Sequence, residues 1–503
     1  MNENLYARLA AAFEPERPFL TDGSGARYTY ADLEKLSGQA AQALRDLGLE
    51  AGDRVSVVAE KSVEYLWLYL GCLRAGLIFH PLNPAYTARE LGFFLRDAGS
   101  RALVFDPGLG DRLTESTAAC PELEFQLTLD ARGEGSFADV RRQASILQGA
   151  HENRGDDQAA LLYSSGTTGT PKGICITHGN LFSNAVALAD AWGFTCDDIL
   201  LHALPVFHVH GLFITLGPTL VAGASLRFLS KFEPDAVLDA LPGASLMAGV
   251  PTYYTRLLAD TRLDQARCAS LRLFISGSAP LSEATFHAFA ERTGHIILER
   301  YGMTETGINT SNPLQGTRKA GSVGPPLQGV ELRVVAEDGS IQSDGMVGDI
   351  EVRGPNVLPG YWRLPEATEG AFRDGGWFAT GDQGYLDEDG YLFIVGRSKD
   401  MVISGGLNVY PKEIERELEA CAGIAEAAVF GVPHNDFGEA VVAAVLSASS
   451  IELDEAALIS VLKAQLAGFK VPKRILVLDE LPRNAMGKVQ KNLLRERYSA
   501  LFS

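Results

Sequence analysis

Lys/Arg-rich runs, paired cysteines and apolar stretches long enough to span a bilayer are all missing from this 503-residue sequence. Each absence excludes a class of function. The 44 Lys and Arg are outnumbered by 63 Asp and Glu, for a net charge of −19. That balance argues against a nucleic-acid or anionic-lipid surface, and any polyanionic ligand needs a locally built positive site. Six cysteines (Cys72, Cys120, Cys175, Cys196, Cys268 and Cys421) are scattered without CxxC spacing. A zinc ribbon and a disulfide framework are thereby excluded, and a reducing cytoplasm suits the chain. The longest uncharged stretch, 199–226, is broken by Pro205, Pro218 and three glycines and holds three histidines. It reads as buried strand and loop, so no membrane insertion is expected. The opening Met1-Asn2-Glu3-Asn4 has no apolar segment behind a basic one, and Leu501-Phe502-Ser503 is no peroxisomal tripeptide. The expected compartment is cytoplasmic.

What is present is ordinary globular material: 46% hydrophobic and 21% charged residues, enough for a large core. Helix-period and strand-period segments alternate from the start. A helix is expected from Tyr30 to about Leu47, a strand at 54–59, a helix at 63–75 and a strand at 102–105, and the rhythm continues through strands at 199–204, 245–249 and 272–276. Such alternation predicts an α/β fold with a largely parallel sheet. From about 330 to 396, short alternating strands such as 348–353 and 390–395 sit between Gly/Pro/Asp turns, which predicts a β-rich, barrel-like subdomain. Helix-period segments at 411–420 and 454–466 then mix with strands at 427–432, 440–446 and 475–478. The expected division is therefore 1–398 and a separate α+β domain at 399–503, jointed at Arg397-Ser398-Lys399-Asp400.

The most informative stretch is Leu162-Tyr163-Ser164-Ser165-Gly166-Thr167-Thr168-Gly169-Thr170-Pro171-Lys172-Gly173. An apolar strand at 159–163 runs into glycines and hydroxyls, and a helix is expected from about Asn180 to Trp192 with Gly193 as its C-cap. Glycines let backbone N–H groups face a phosphate closely, while hydroxyls and Lys172 add donors and charge. The spacing is not that of a Walker A loop.

This loop resembles the signature of the adenylate-forming superfamily, which includes acyl-CoA synthetases, luciferases and peptide-synthetase adenylation domains. Further motifs follow in that superfamily's order. They are Leu204-Pro205-Val206-Phe207-His208, Tyr301-Gly302-Met303-Thr304-Glu305-Thr306, Thr380-Gly381-Asp382, Gly396-Arg397-Ser398-Lys399-Asp400, Ser404-Gly405-Gly406-Leu407-Asn408-Val409-Tyr410-Pro411 and Pro482-Arg483-Asn484-Ala485-Met486-Gly487-Lys488. The resemblance implies a large N-terminal domain, a small mobile C-terminal domain, and ATP, Mg2+ and coenzyme A. It also implies two half-reactions. A carboxylate attacks the α-phosphate of ATP and expels pyrophosphate; a thiol then attacks the acyl carbon and expels AMP.

Carried over by motif, Ser164, Ser165, Gly166, Thr167, Thr168, Gly169 and Lys172 would cradle phosphate. Thr304 and Glu305 would meet the α-phosphate and Mg2+, Glu305 being the metal ligand, and Tyr301 with Gly302 would cover the adenine. Asp382 would accept the ribose hydroxyls with Arg397 nearby, and Lys488 would bridge the substrate carboxylate and the α-phosphate. The small domain would turn about Asp400, exchanging Lys488 for the thiol-tunnel loop of Gly405 and Gly406.

The acid must be read from the pocket. Arg300 precedes Tyr301, where a guanidinium without a partner would be costly. A short dicarboxylic acid would pair it bidentately; an internal acid is the competing partner. Met247 is expected to shorten the pocket, Ser276-Gly277-Ser278 to reach the distal carboxylate, and His208 to contact or gate the substrate. His208 and His210 are two apart, too few for a metal site. The runs 272–281, 298–313 and 481–491 are similar to malonyl-CoA synthetases, so malonate, with methylmalonate beside it, is the expected acid. The alternatives are a short or medium monocarboxylic acid, or a carrier protein as thiol acceptor. The expected partners are small molecules and no nucleic acid, with the chain a monomer or weak dimer.

Overall fold

The computed structural model describes residues 2–164, 171–397, 400–404, 407–434, 437–448, 453–466, 468–484 and 487–502. Two sheets dominate its first two thirds. The first runs, in spatial order, Phe125–Thr128, Ala102–Phe105, Arg54–Val58, Ile78–Pro81, Gln158–Ser164 and Lys172–Thr177. It is parallel except for the last pair. The second runs Gly307–Ser311, Leu298–Met303, Leu273–Ser276, Leu246–Gly249, Ile199–His202, Ser225–Phe228, Pro18–Asp22 and Arg27–Thr29. Its six central strands are parallel, with an antiparallel partner at each end. Central strands are buried on both faces, as in Leu246-Met247-Ala248-Gly249, which is why they read as unbroken apolar runs. The main apolar cluster includes Trp67, Tyr65, Phe79, Leu188 and Trp192.

A five-stranded antiparallel sheet follows, formed by Glu331–Val335, Gly348–Arg353, Phe372–Arg373, Trp377–Leu386 and Leu392–Arg397. The small C-terminal domain centres on Ile424–His434 and Gly438–Ser447. Alternation sends Val429, Val441 and Ala443 to one face, against Ile414, Leu418 and Leu462, and Phe430 and Val442 to the other, against Leu481 and Leu494. The boundary expected at 398/399 lies outside the described residues.

Four local expectations change. The glycine-rich loop does not lead into a helix: the strand Lys172–Thr177 pairs back on Gln158–Ser164, so the loop caps a β-hairpin. The following helix, His178–Ala191, starts two residues early because Thr177 and Asn180 form a reciprocal capping box. The stretch 199–226 holds, besides its strand, a π-turn at His210–Thr215 and a helix at Leu216–Val221. The C-terminal domain has a third helix, Lys491–Arg497. Among the described residues no helix is long and apolar enough to cross a membrane.

Four histidines are buried and held neutral. Burial depresses His80 and His202 to about 3, His178 to about 4, and His210 well below the usual imidazole range. Unfolded imidazoles protonate near pH 6.5, whereas these resist until far lower, so stability is full above about pH 6.5 and lost as pH falls toward about 4. At pH 5 each group costs on the order of 2 kcal/mol, and together they approach a domain's whole stability. The expected result is acid unfolding at about pH 5, followed by circular dichroism, with several protons taken up. A native signal that persists to about pH 3.5 would contradict it.

Candidate active site

The parallel strands Leu246–Gly249, Leu273–Ser276 and Leu298–Met303 end at one edge of the second sheet, with Gly249 beside Ser276 and Ser276 beside Glu299. Ligands of α/β sheets gather at such carboxyl ends. Arg300 lies in the last of these strands and is 4% exposed. Its guanidinium packs on Gly277: a Cβ there would stand 2.5 Å from Arg300 Cζ. Only glycine leaves that space. Ser278 takes a positive φ of 71° just beyond, and its Oγ lies 3.1 Å from His210 Nδ1. The His210 N–H donates to His208 Nδ1 at 3.2 Å.

This cluster is short of hydrogen bonds. Among the described residues, Arg300 Nε and Nη2, Ser276 Oγ and His210 Nε2 are buried without a partner. Buried polar atoms are nearly always satisfied, so four together call for a ligand or an explanation. Among the described residues no carboxylate forms a direct ion pair with Arg300, although the charge of Glu299 acts on it through space. Its neighbour Glu299 points to the other face of the strand, as alternation requires, accepts the Leu281 N–H and faces Lys412. Burial lifts Glu299 to about 8 and depresses Arg300 to about 10. Burial, then the charge of Arg300, pulls His208 down to about 4, so both His208 and His210 are neutral at physiological pH.

Met247 is fully buried in the second apolar cluster, among Leu201, Phe274 and Tyr254. It contributes core packing beneath the site.

A second group of polar residues surrounds Asp382. The Tyr301 hydroxyl donates to Asp382 Oδ2 at 2.6 Å, and Arg397 Nε meets Oδ1 at 3.0 Å. Asp382 and Arg397 are cross-strand partners, which fixes this pairing. Gly302 lets the hairpin close, since a Cβ would lie 2.0 Å from the Gly307 carbonyl oxygen. Thr304 and Glu305 follow the strand and line one depression with Asn184 and Val209. The Tyr361 hydroxyl bonds Glu305, and Lys172 Nζ stands 5.0 Å from the centre of the Tyr361 ring. Lys172 and Glu305 thus both neighbour Tyr361. Ser164 ends its strand; Ser165, Gly166, Thr167, Thr168 and Gly169 lie outside the described residues.

The small domain reaches the same edge. Lys488 sits in a turn closed by Asn484 N–H to Lys488 O at 2.9 Å and Lys488 N–H to Asn484 Oδ1 at 3.0 Å. Gly487 has φ 76°, and its Cβ position lies 3.4 Å from Thr252 Oγ1. Thr252 opens the helix Pro251–Leu258, just after Leu246–Gly249. The Lys488 turn is thus docked at the edge that carries Ser276 and Arg300. Asp400 is paired with Arg495 at 3.0 Å. Gly405 and Gly406 lie outside the described residues. Sequence reasoning gave no role to His210 or Tyr361; a second histidine two residues after His208 was the only signal for the former. Among the described residues no group of three metal-type side chains occurs.

The AMP-binding enzyme family matches residues 7–362, and the AMP-binding enzyme C-terminal domain family matches residues 413–488. A feruloyl-CoA synthase from Amycolatopsis sp is 36% identical over 94% of each chain. A malonate–CoA ligase from Arabidopsis thaliana is 36% identical over 91% of this chain and 80% of its own. ATP-bound MatB from Rhodopseudomonas palustris is 49% identical and covers 100% of both chains with a TM-score of 0.97. Apo MatB from the same organism, equally identical and equally covered, scores 0.86. The arrangement seen here is nearer to the ATP-bound one. The chain belongs to the AMP-binding enzyme family, with the adenylate-forming two-domain fold, as an AMP-forming acyl-CoA ligase that uses ATP, Mg2+ and CoA.

Proposed function

We propose that the chain is a malonate:CoA ligase that passes through malonyl-adenylate and also accepts methylmalonate. The observation that carries this reading is the buried guanidinium of Arg300, unpaired at Nε and Nη2 beside the equally unpaired Ser276 Oγ and His210 Nε2. A short diacid fits all of them: one carboxylate is activated while the other accepts from Arg300, Ser276 and a neutral His210. A monocarboxylate would bury the cation unpaired. The malonate–CoA ligase relative supports the choice; the feruloyl-CoA synthase relative marks how widely acids vary around this scaffold.

In this reading the acid supplies its own nucleophile, and the protein positions it and stabilises charge at phosphorus. Lys488, whose neighbour Gly487 abuts Thr252, bridges the attacking carboxylate and the α-phosphate. Asp382, steadied by Tyr301 and Arg397, takes the ribose hydroxyls, and the Tyr301 ring covers the adenine. Glu305, a buried hard-oxygen donor with the Thr304 hydroxyl next to it, suits Mg2+, which when bound offsets the triphosphate charge. His208 stays neutral against the acid. Lys172 and the hairpin loop hold phosphate. After adenylation the small domain turns at Asp400, withdraws Lys488 and brings the Gly405-Gly406 loop to the thiol.

ATP–pyrophosphate exchange across malonate, methylmalonate, succinate, butyrate, octanoate and 4-coumarate tests the reading without requiring the thiol. Exchange dependent on malonate supports it; exchange with butyrate or 4-coumarate but not malonate overturns it.

A further inference from the structure

Lys61 is buried, and among the described residues no carboxylate forms an ion pair with it. It follows the strand Arg54–Val58 of the first sheet, is 5% exposed, and lies with its Nζ 4.2 Å from the centre of the Phe228 ring. Its Nζ donates to His202 Nδ1 at 2.8 Å and to the His202 carbonyl at 2.9 Å. His202 ends a strand of the second sheet, so the pair ties the two sheets together across 141 residues. Two basic side chains packed together in the interior disfavour each other's charge. Burial holds Lys61 well below the usual amine range. Scaffolds are built more cheaply from apolar residues, so a group of this kind points to a task.

The other ring nitrogen shows the task. A donor at Nδ1 leaves His202 with its proton on Nε2, and Nε2 donates to the Gly211 carbonyl at 2.8 Å. Gly211 is the second residue of the π-turn His210–Thr215. A π-turn is wider than an α-helical one and leaves carbonyls to be satisfied from outside the backbone ladder. Here Gly211 O takes His202 Nε2–H and the Thr215 hydroxyl, the latter at 2.8 Å. Gly211 has no room for a side chain, since a Cβ would lie 2.1 Å from the Pro205 carbonyl oxygen. The residue before it is His210, whose ring meets Ser278 and whose Nε2 lacks a partner.

We propose that Lys61 and His202 are positioning residues for acid recognition. Lys61 fixes the tautomer of His202, His202 pins the Gly211 carbonyl, and the pinned π-turn aims His210 at the acid. This rests on the reading that His210 faces the acid; it adds a specificity determinant buried behind the pocket, one that touches no substrate.

The test compares His202→Gln with His202→Asn in the full chain, with Lys61→Met alongside. Glutamine can place its amide N–H near the position of Nε2 and keep the bond to Gly211; the shorter asparagine cannot. AMP release is measured with malonate and with butyrate, varying acid and ATP separately. The expected result is a KM for malonate raised at least about tenfold in His202→Asn and Lys61→Met and less than about threefold in His202→Gln, with the KM for ATP within about twofold throughout. Equal effects of Gln and Asn, or a KM for ATP that rises in step, would make the pair simple scaffold and overturn the proposal. Failure of all three variants to fold would do the same. Wild-type protein that prefers butyrate would sink the diacid reading instead, and the Gln–Asn comparison made with butyrate would still decide the positioning role.

Discussion

Arg300→Ala is expected to lower kcat/KM for malonate by at least about 100-fold, on the scale of about 3 kcal/mol for losing one partner of a buried charge pair. The same substitution should change kcat/KM for butyrate by less than about fivefold. The contrast follows from the unpaired Nε and Nη2 of Arg300 beside Ser276 and His210: a distal carboxylate loses its partner, whereas a methyl group had none to lose. Lost packing cannot produce this contrast, because the space left above Gly277 is the same for both acids. Equal losses for the two acids would reduce Arg300 to scaffold and leave the choice of acid to other residues.

Lys488→Ala should separate the half-reactions. Adenylation, followed by pyrophosphate exchange, is expected to fall by at least about 100-fold, the scale of removing a charged group that stabilises the transition state. Conversion of supplied malonyl-adenylate and CoA to malonyl-CoA should stay within about threefold of wild type. The basis is the docked turn: Gly487 abuts Thr252 at the strand edge that carries Ser276 and Arg300, and the fold is nearer to ATP-bound than to apo MatB. A lysine delivered in only one orientation serves only one step. Both steps falling together would mean that Lys488 stays in place throughout and that the domain rotation is wrong for this chain.

Much of this site was legible in the sequence because its parts are local. Tyr301 to Glu305 is one strand and its exit, Thr380-Gly381-Asp382 is one strand segment, and the strand period marked Arg54–Val58, Ala102–Phe105, Gln158–Ser164, Ile199–His202, Leu246–Gly249 and Leu273–Ser276 but missed others such as Ile78–Pro81, Phe125–Thr128 and Ser225–Phe228. The oddity of Arg300 was visible too, as a guanidinium directly before Tyr301 of the nucleotide motif. What stayed hidden depends on contacts distant in sequence or on backbone detail. The strand Lys172–Thr177 is a short run that becomes a strand only by pairing with Gln158–Ser164. The π-turn at His210–Thr215 has no composition of its own; it depends on Thr215 and on a histidine from the neighbouring strand. Lys61 reads as an ordinary charged residue before a helix until its partner 141 residues away is known. Met247, expected to shorten the pocket, lies instead in the core with Leu201 and Phe274, where the strand's alternation sends it.

Glu299 and Arg300 are adjacent, opposite in charge and both buried, yet the strand directs them to opposite faces. One meets the small domain through Lys412; the other awaits an anion. Their charges still act on each other through space, but the pleat keeps the two side chains from meeting in a direct ion pair. The diacid reading depends on that separation.

The most direct test of the central claim is therefore the ratio of kcat/KM for malonate to that for butyrate, measured on the wild-type protein by AMP release with saturating ATP and CoA. The buried, unpaired guanidinium predicts a ratio above about 100. A ratio at or below one would show that the pocket neutralises Arg300 by itself and would contradict the assignment of a dicarboxylic acid.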